Sequence, residues 1–174
     1  MTTFMNLAKS RSSIRKYQET PVEREKLITI LEAGRIAPTA ANKQPTTFMI
    51  LQNEDLHHLD NVCQSHGAPL AIIICADKNI AWTRPFDQHQ MIDIDATIAT
   101  DHMMLAAEDL GLSSCWITYF DPQQLISNFN IPAHMVPVNI LVIGYATEKH
   151  SSDRHEQTRK SLSQYITYPQ DFIR

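Results

Sequence analysis

A short basic stretch near the start of the chain carries residue types that bind phosphate. Residues 9–17 read Lys-Ser-Arg-Ser-Ser-Ile-Arg-Lys-Tyr, which places Arg11, Ser13 and Arg15 at alternate positions. Alternate side chains of an extended segment lie on one face. Two guanidinium groups beside a hydroxyl group on that face would bind a dianionic phosphate. The same residues would also suit a basic surface loop, so this segment, which we call the arginine stretch, leaves both interpretations open.

Residues 38–45 form a second unusual segment, which reads Pro-Thr-Ala-Ala-Asn-Lys-Gln-Pro. Its small residues would let the backbone approach a flat ligand closely. The side-chain amides of Asn42 and Gln44 can each donate and accept hydrogen bonds, which matches a heterocycle with alternating carbonyl and N–H groups. An ordinary proline-rich loop has the same composition, so this segment, which we call the amide loop, also leaves two interpretations open.

Apolar runs and helical periodicity predict the elements that hold these two segments. Apolar runs predict four strands, over residues 46–52, 70–75, 114–120 and 138–145. Helical spacing and capping signals predict helices from Thr20-Pro21 to about Gly34, over residues 55–65 and 91–110, and after Asp121-Pro122. Strands and helices are interspersed without repeats or linkers. We therefore expect one domain, residues 1–174, of the α/β or α+β class, with helices on both faces of a mixed or antiparallel sheet.

Two further segments contain functional residue types without a clear pattern. Residues 81–90 include Trp82, Arg84 and Phe86, and would form either a lid over a pocket or a surface loop with one docked aromatic ring. The long helical segment contains four potential metal ligands, namely Asp93, Asp95, Asp101 and His102. Their spacing does not place them on one helix face in the manner of a metal site, so we expect no metal.

The charge balance and the cysteines argue against several classes of protein. The 174 residues carry a net charge of −4 and the pI is near 6.0, which argues against a nucleic-acid partner. Three separated cysteines, Cys63, Cys75 and Cys115, are typical of reduced thiols in the cytoplasm, and we expect Cys75 and Cys115 in the core. No signal peptide is recognised, and the longest apolar run, residues 69–76, is too short to span a bilayer. We expect a cytoplasmic protein without a membrane partner.

The order of these segments resembles the nitroreductase family of flavin enzymes. Residues 11–17 are similar to the family's N-terminal phosphate motif, and Ala-Pro-Thr-Ala-Ala-Asn-Lys-Gln-Pro at residues 37–45 is similar to its Ala-Pro-Ser-x-x-Asn-x-Gln-Pro loop. Residues 105–117 are similar to its central helix and the strand that follows. Gly144-Tyr145-Ala146, followed by Arg159-Lys160, is similar to its strand end and late basic residue. The resemblance covers nearly the whole chain in the expected order.

The resemblance implies a nitroreductase-like α+β fold of three layers, an obligate homodimer, and FMN bound in two clefts between the subunits. One end of FMN, with its phosphate, would contact Arg11, Ser12, Ser13, Arg15 and Arg159. The amide loop of the partner subunit would approach the flavin through Pro38, Thr39, Ala40, Asn42 and Gln44. Ile117 and Thr118 would lie beside the ring, where the backbone N–H of Thr118 would point at flavin N5 and favour negative charge on the reduced ring.

The implied reaction is a ping-pong transfer. NADH or NADPH would deliver a hydride to flavin N5 and leave, and a nitroaromatic, quinone or enone would then accept the electrons. The sequence departs from common family patterns at Thr39, Thr46 and Thr118-Tyr119, which leaves the acceptor open. Other functions also remain open, namely a flavin-binding module without turnover and a related flavin enzyme of dehalogenation or flavin breakdown. The residues supply no nucleophile–base pair or metal cage, as expected where a cofactor does the chemistry.

Overall fold

The computed structural model describes residues 3–172 of the chain. These residues form α1 (Phe4–Ser10), α2 (Arg24–Arg35), β1 (Thr46–Gln52), β2 (Leu70–Asp77), α3 (Ile92–Asp109), β3 (Ser113–Ile117), α4 (Pro122–Phe129), β4 (Met135–Gly144) and α5 (Arg154–Thr158). Short 3-10 helices lie at Ala40–Asn42, Asn53–Leu59, Leu162–Gln164 and Pro169–Phe172. Within this range, no helix is long and apolar enough to cross a membrane.

The four strands form one sheet in the order β1-β2-β4-β3. Every neighbouring pair is antiparallel, so the expected mixed or antiparallel sheet takes the antiparallel form. Thr46 of β1 pairs with Ala76 of β2, and Ile117 of β3 pairs with Ile140 of β4. β1 and β3 are therefore the two opposite edges of the sheet.

Two apolar cores cover the two faces of the sheet. On one face, α2 and α3 pack on the central strands through fully buried side chains that include Ile30, Ile72, Met103 and Leu141. On the other face, α4 and the 3-10 helix Asn53–Leu59 pack on the same strands through side chains that include Leu59, Ile73, Leu125 and Ile140. Each such aliphatic side chain contributes roughly 1.5–3 kcal/mol relative to its exposed form. Cys75 and Cys115 are both 3% exposed, which confirms their predicted place in the core.

The predicted start of α2 is wrong by several residues. The helix begins at Arg24 after Glu23, rather than at Thr20-Pro21. The backbone before it is still bound to the end of β4, since the Gln18 N–H donates to the carbonyl oxygen of Tyr145 at 2.8 Å. Thr20 and Pro21 therefore belong to a non-helical connection, which follows a bend at Glu19.

Other element boundaries also differ from the predictions. Residues 55–65 form part of the 3-10 helix Asn53–Leu59 followed by turns, rather than an α-helix. β3 ends at Ile117, three residues before its predicted end. β4 begins at Met135, three residues before its predicted start. α1, a helix of seven residues none of which is buried, is absent from the sequence-based predictions above.

Gly34 lies inside α2 and permits close packing there. A Cβ atom at Gly34 would approach Cζ of Phe48 on β1 to 2.8 Å and Cγ of Met103 on α3 to 2.9 Å. The missing side chain therefore lets α2 approach both neighbours, whereas the sequence pattern places Gly34 only near the end of the helix.

Candidate functional site

The arginine stretch is extended and lies beside β3. The Ile14 N–H donates to the carbonyl oxygen of Ser114 at 3.0 Å, and Ser13 forms a parallel bridge with Ser114. Its side chains alternate between two faces, as in a strand: Ser12 and Ile14 are buried, whereas Arg15 is exposed. The Ser12 side chain therefore lies on the face opposite to that of Arg15.

Tyr17 closes this stretch. Its hydroxyl group donates to the carbonyl oxygen of Ile14 at 2.9 Å, and its backbone pairs with Ala146. Burial raises the pKa of the Tyr17 hydroxyl, so the group stays protonated and remains a donor. The turn of the stretch towards the end of β4 is thereby held in place.

The C-terminal part of the chain adds two more arginines to this region. The Arg154 guanidinium donates to the carbonyl oxygen of Lys9 at 3.3 Å and to that of Arg11. Burial lowers the pKa of the half-buried Arg11, and the charges of Arg154 and Arg159 lower it further, while acidic side chains oppose the change. The positive charges of Arg154 and Arg159 therefore act unfavourably on that of Arg11, and a bound anion would relieve this repulsion.

A pocket of about 370 Å³ opens beside Arg15, along β3 and past its end. It is lined by the arginine stretch, by β3 and the residues after it, and by the loop before β2. These residues are Arg15, Gln64, His66, Cys115, Trp116, Ile117, Thr118 and Tyr119. Burial lowers the pKa of His66, and the charge of Arg15 lowers it further, so this imidazole is neutral near pH 7. We call this the β3-end pocket, and it brings together Arg15, Ile117 and Thr118 of the predicted site.

The amide loop is a tight turn with an unusual backbone. Ala41, Asn42 and Gln44 have φ angles of 50°, 52° and 52°, a region that residues other than glycine seldom occupy. The Gln44 N–H donates to Oγ1 of Thr39 at 3.0 Å, and the Gln44 side-chain amide donates to the carbonyl oxygen of Asn42 at 3.3 Å. Gln44 therefore closes the turn, while the Asn42 residue is exposed.

The two predicted parts of the site lie at opposite edges of the sheet. The amide loop leads into β1, whereas the arginine stretch pairs with the outer side of β3, four strand spacings or about 19 Å from β1. Within the described chain, the amide loop contributes no residue to the β3-end pocket. Thr39 and Gln44 instead line a groove of about 500 Å³ between α2, β1 and α3, which we call the β1 groove. In one protomer the amide loop and the arginine stretch therefore line two different pockets.

The sequence prediction of the site lacks Arg154, Gln64 and His66, as well as Cys115, Trp116 and Tyr119 of the pocket lining. Arg154 is one of several basic residues in a polar tail, and only the fold shows that it reaches the arginine stretch. Gln64 and His66 lie in a loop outside any recognised motif. Gly67 is the one available signal, because His66 and Gly67 have φ angles of 58° and 71° and form a left-handed turn.

Two of the four side chains considered as metal ligands, Asp95 and His102, make other contacts. Oδ1 of Asp95 accepts a hydrogen bond from the Ala40 N–H at 2.9 Å, and Nδ1 of His102 is hydrogen-bonded to the carbonyl oxygen of Ile98 at 2.9 Å. Across residues 3–172, no three His, Cys, Asp or Glu side chains are grouped as metal ligands would be.

Residues 81–90 form a compact hairpin. Thr83 pairs with Gln90, the Met91 N–H donates to the carbonyl oxygen of Trp82 at 2.9 Å, and Phe86 near the tip is 93% exposed. The hairpin lines neither the β3-end pocket nor the β1 groove. A lid function for this segment stays a prediction.

Comparison with known proteins identifies the family. The sequence matches the model of the nitroreductase family over residues 8–66 and 58–145, which together are most of the chain. The chain belongs to the nitroreductase family. This confirms the family resemblance and the α+β fold, with helices on an antiparallel four-stranded sheet.

Solved structures and a curated relative agree with this assignment. The chain is 45% identical to a nitroreductase family protein from Clostridium difficile 630, with a TM-score of 0.94 and coverage of 96% of this chain and 98% of that one. It is 28% identical to an FMN-dependent nitroreductase from Clostridium difficile R20291, with a TM-score of 0.78 and coverage of 94% and 97%. It is 29% identical over 178 residues to the FMN reductase (NAD(P)H) of Bacillus subtilis strain 168, covering 90% of this chain and 70% of the relative.

Proposed function

We propose that this nitroreductase-family protein binds FMN and acts as an NAD(P)H-dependent oxidoreductase. The acceptor would be a nitroaromatic, a quinone or a related small molecule. The observation that carries the proposal is that Arg154 of the tail binds the backbone of the arginine stretch, which lines the β3-end pocket through Arg15, while the charges of Arg154 and Arg159 act on Arg11. A cluster of this kind suits a phosphate, and the pocket has a volume typical of small-molecule sites.

The phosphate end of the site would use the arginine stretch and the tail. We assign the FMN phosphate to the side chains of Arg11, Ser13, Arg15 and Arg159. Arg154 has a supporting role, because its guanidinium already donates to backbone carbonyl oxygens. Ser12 is 6% exposed, so we assign it a backbone contact only.

The ring end of the site would use the end of β3. Ile117 and Thr118 would lie beside the flavin, with the Thr118 N–H directed at N5, where it favours negative charge. When bound, FMN would take up electrons from NADH or NADPH and pass them to the acceptor. The residues of the chain bind and orient the reactants and set the local electrostatics.

We also propose a homodimer in which the amide loop of each protomer completes the site of the other. The support is the separation of about 19 Å, or four strand spacings, between the strand that follows the loop and the arginine stretch of the same chain. The loop residues assigned to the partner's flavin are Pro38, Thr39, Ala40, Asn42 and Gln44. Each protomer would be a single domain of residues 1–174.

Exposed apolar side chains support the same dimer. Ile28 and Ile50 line the β1 groove and are 54% and 38% exposed. The tail carries four more exposed apolar side chains, namely Leu162, Tyr165, Ile166 and Tyr168. Apolar surface of this extent typically marks a protein interface, and a second copy of the chain would cover it.

The first experiment identifies the cofactor. The protein is purified, its flavin is released by heat, and the flavin is identified by mass spectrometry. We expect FMN, because the phosphate cluster is present and the sequence lacks the Gly-x-Gly-x-x-Gly turn that holds a dinucleotide pyrophosphate. Finding FAD, or no flavin after reconstitution, would contradict the proposal.

The second experiment distinguishes turnover from binding alone. Anaerobic addition of NADH or NADPH should bleach the yellow protein, and a quinone or nitroaromatic should restore the colour. A yellow protein that neither nucleotide bleaches would instead be a flavin-binding module. Loss of halide from a halogenated aromatic would identify a dehalogenase, and destruction of the flavin would identify an enzyme of flavin breakdown.

We place the protein in the cytoplasm, because Cys63, Cys75 and Cys115 are all free thiols.

A further inference from the structure

Asp95 is a buried acidic residue with an unusual set of contacts. It lies in the first turn of α3 and is 1% exposed. Its Oδ1 accepts a hydrogen bond from the Ala40 N–H at 2.9 Å. Its Oδ2 is buried and has no hydrogen-bond partner among residues 3–172. Burying a carboxyl group in this way is unfavourable unless it stabilises something else.

Asp95 contacts the amide loop through the backbone of Ala40. Ala40 is followed by Ala41 and Asn42 at φ angles of 50° and 52°, and Gln44 also has a positive φ angle of 52°. Backbone in this region is strained for residues with a side chain, and it persists only where the surroundings hold it. Asparagine adopts this region more readily than most residues, so Ala41 and Gln44 are the residues that require external support.

The other bonds of the loop are mostly internal. The Asn42 N–H donates to the carbonyl oxygen of Thr39 at 2.9 Å, and the Gln44 N–H donates to Oγ1 of Thr39 at 3.0 Å. The far end is tied to β2, because the Asp77 N–H donates to the carbonyl oxygen of Pro45 at 2.9 Å. The bond from Ala40 to Asp95 ties the near end to α3.

A general helix-stabilising role does not account for Asp95. An acidic side chain in a first helical turn interacts favourably with the helix dipole. Asp93 lies in the same turn and is exposed, so it provides that interaction without burial. The bond to Ala40 satisfies Oδ1 of the buried Asp95, and it is a contact that the helix dipole does not require.

We propose that Asp95 is a positioning residue that holds the strained amide loop in the shape that contacts the partner subunit's flavin. This rests on the proposed FMN function. Asp95 does not touch the cofactor itself. It holds the Ala40 backbone by a hydrogen bond, and thereby sets the orientation of Asn42 in the loop.

The test compares three variants of the full-length protein, Asp95→Ala, Asp95→Asn and the matched control Asp93→Ala. FMN affinity is measured by the quenching of flavin fluorescence. Asp95→Ala should weaken FMN binding by at least about tenfold, because the loop loses its tie to α3. Asp95→Asn keeps an acceptor oxygen and should be intermediate, and Asp93→Ala should bind FMN as the wild type does.

Hydrogen exchange of the FMN-free protein gives a second measurement that does not depend on the cofactor. Amides of residues 40–44 should exchange faster in Asp95→Ala, with α3 and β1 unchanged. If Asp95→Ala does not fold, the exchange of Asp95→Asn tests the proposal instead. The neutral amide oxygen of this variant accepts a weaker hydrogen bond, so the Ala40 amide should exchange about fivefold faster than in the wild type.

Two results would overturn the proposal: unchanged exchange at residues 40–44, or an equal loss of FMN affinity in Asp93→Ala. An absence of FMN from the wild type would instead refute the proposed function, and the exchange result would still report on the loop.

Discussion

Arg11 and Arg15 are only four residues apart and share one face, but their surroundings differ. Arg11 is half-buried beside Arg154 and Arg159. Arg15 is exposed and lines the β3-end pocket. Arg15 is therefore the cation whose removal should disturb the FMN-free protein least, and it separates phosphate binding from a surface-loop role.

We expect Arg15→Ala to weaken FMN binding by about tenfold to a hundredfold, because a charge-assisted contact is worth about 1.5–3 kcal/mol. Arg15→Lys should be intermediate, since the charge remains but the planar fork is lost. Fluorescence titration with FMN measures both. The melting temperature at low FMN should fall in Arg15→Ala and recover with excess FMN.

Lys16 provides the control for this prediction. Its ammonium group lies 3.2 Å from Glu148, and both side chains are 73% exposed, so Lys16→Ala should change neither FMN affinity nor stability appreciably. FMN-free Arg15→Ala should melt close to the wild type. Equal FMN affinity in wild type and Arg15→Ala would make the arginine stretch a basic surface loop.

At the scale of elements, α5 attaches the tail to the arginine stretch. Arg154 donates to the carbonyl oxygens of Lys9 and Arg11, and His155 Nε2 lies 3.1 Å from the same Lys9 oxygen. Arg159 follows α5 directly, so its position beside Arg11 depends on this attachment. The arginines proposed to bind phosphate therefore come from two segments at opposite ends of the chain, the arginine stretch and the tail that contains α5.

Arg154→Ala should release α5 and weaken FMN binding, because Arg159 is no longer held beside Arg11. We expect a loss of on the order of tenfold, together with faster hydrogen exchange of residues 151–160 in the FMN-free protein. Arg154→Lys should restore little, since one ammonium group cannot span two carbonyl oxygens as a guanidinium fork does. Lys149→Ala, at an exposed tail cation, is the control. Unchanged exchange of the tail would show that α5 does not depend on Arg154.

At the scale of the whole molecule, the arrangement of the site predicts complementation between two defective chains. Arg15→Ala damages the arginine stretch and Asn42→Ala damages the amide loop, which lie at opposite sheet edges. In a heterodimer of these two variants, one site combines both defects and the other combines two intact parts.

We therefore expect tandem-tagged heterodimers to bind one FMN per dimer with wild-type affinity and to have about half of the wild-type activity, while each parent homodimer binds weakly. Analytical ultracentrifugation verifies the dimer, and fluorescence titration counts the sites. A heterodimer with no wild-type site would mean that each chain builds its own site, and a monomer that binds FMN tightly would contradict the dimer.

The sequence by itself determines much of this protein, because some signals are local. Four apolar runs predict the four strands, and the long helical pattern predicts α3 to within one residue at each end. The motifs at residues 11–17 and 37–45 identify the family, since they are read directly from residue types and spacing. Burial of Cys75 and Cys115 follows from the apolar runs around them in the same way.

Only the tertiary structure decided how these pieces meet. It places the arginine stretch and the amide loop at opposite sheet edges, brings Arg154 to the Lys9 and Arg11 backbone, and buries Asp95 against Ala40. Each of these contacts joins residues that are far apart along the chain. Their formation depends on strand order, on the close packing of α2 at Gly34 and on the path of the tail, and none of these leaves a periodic signal in the local sequence.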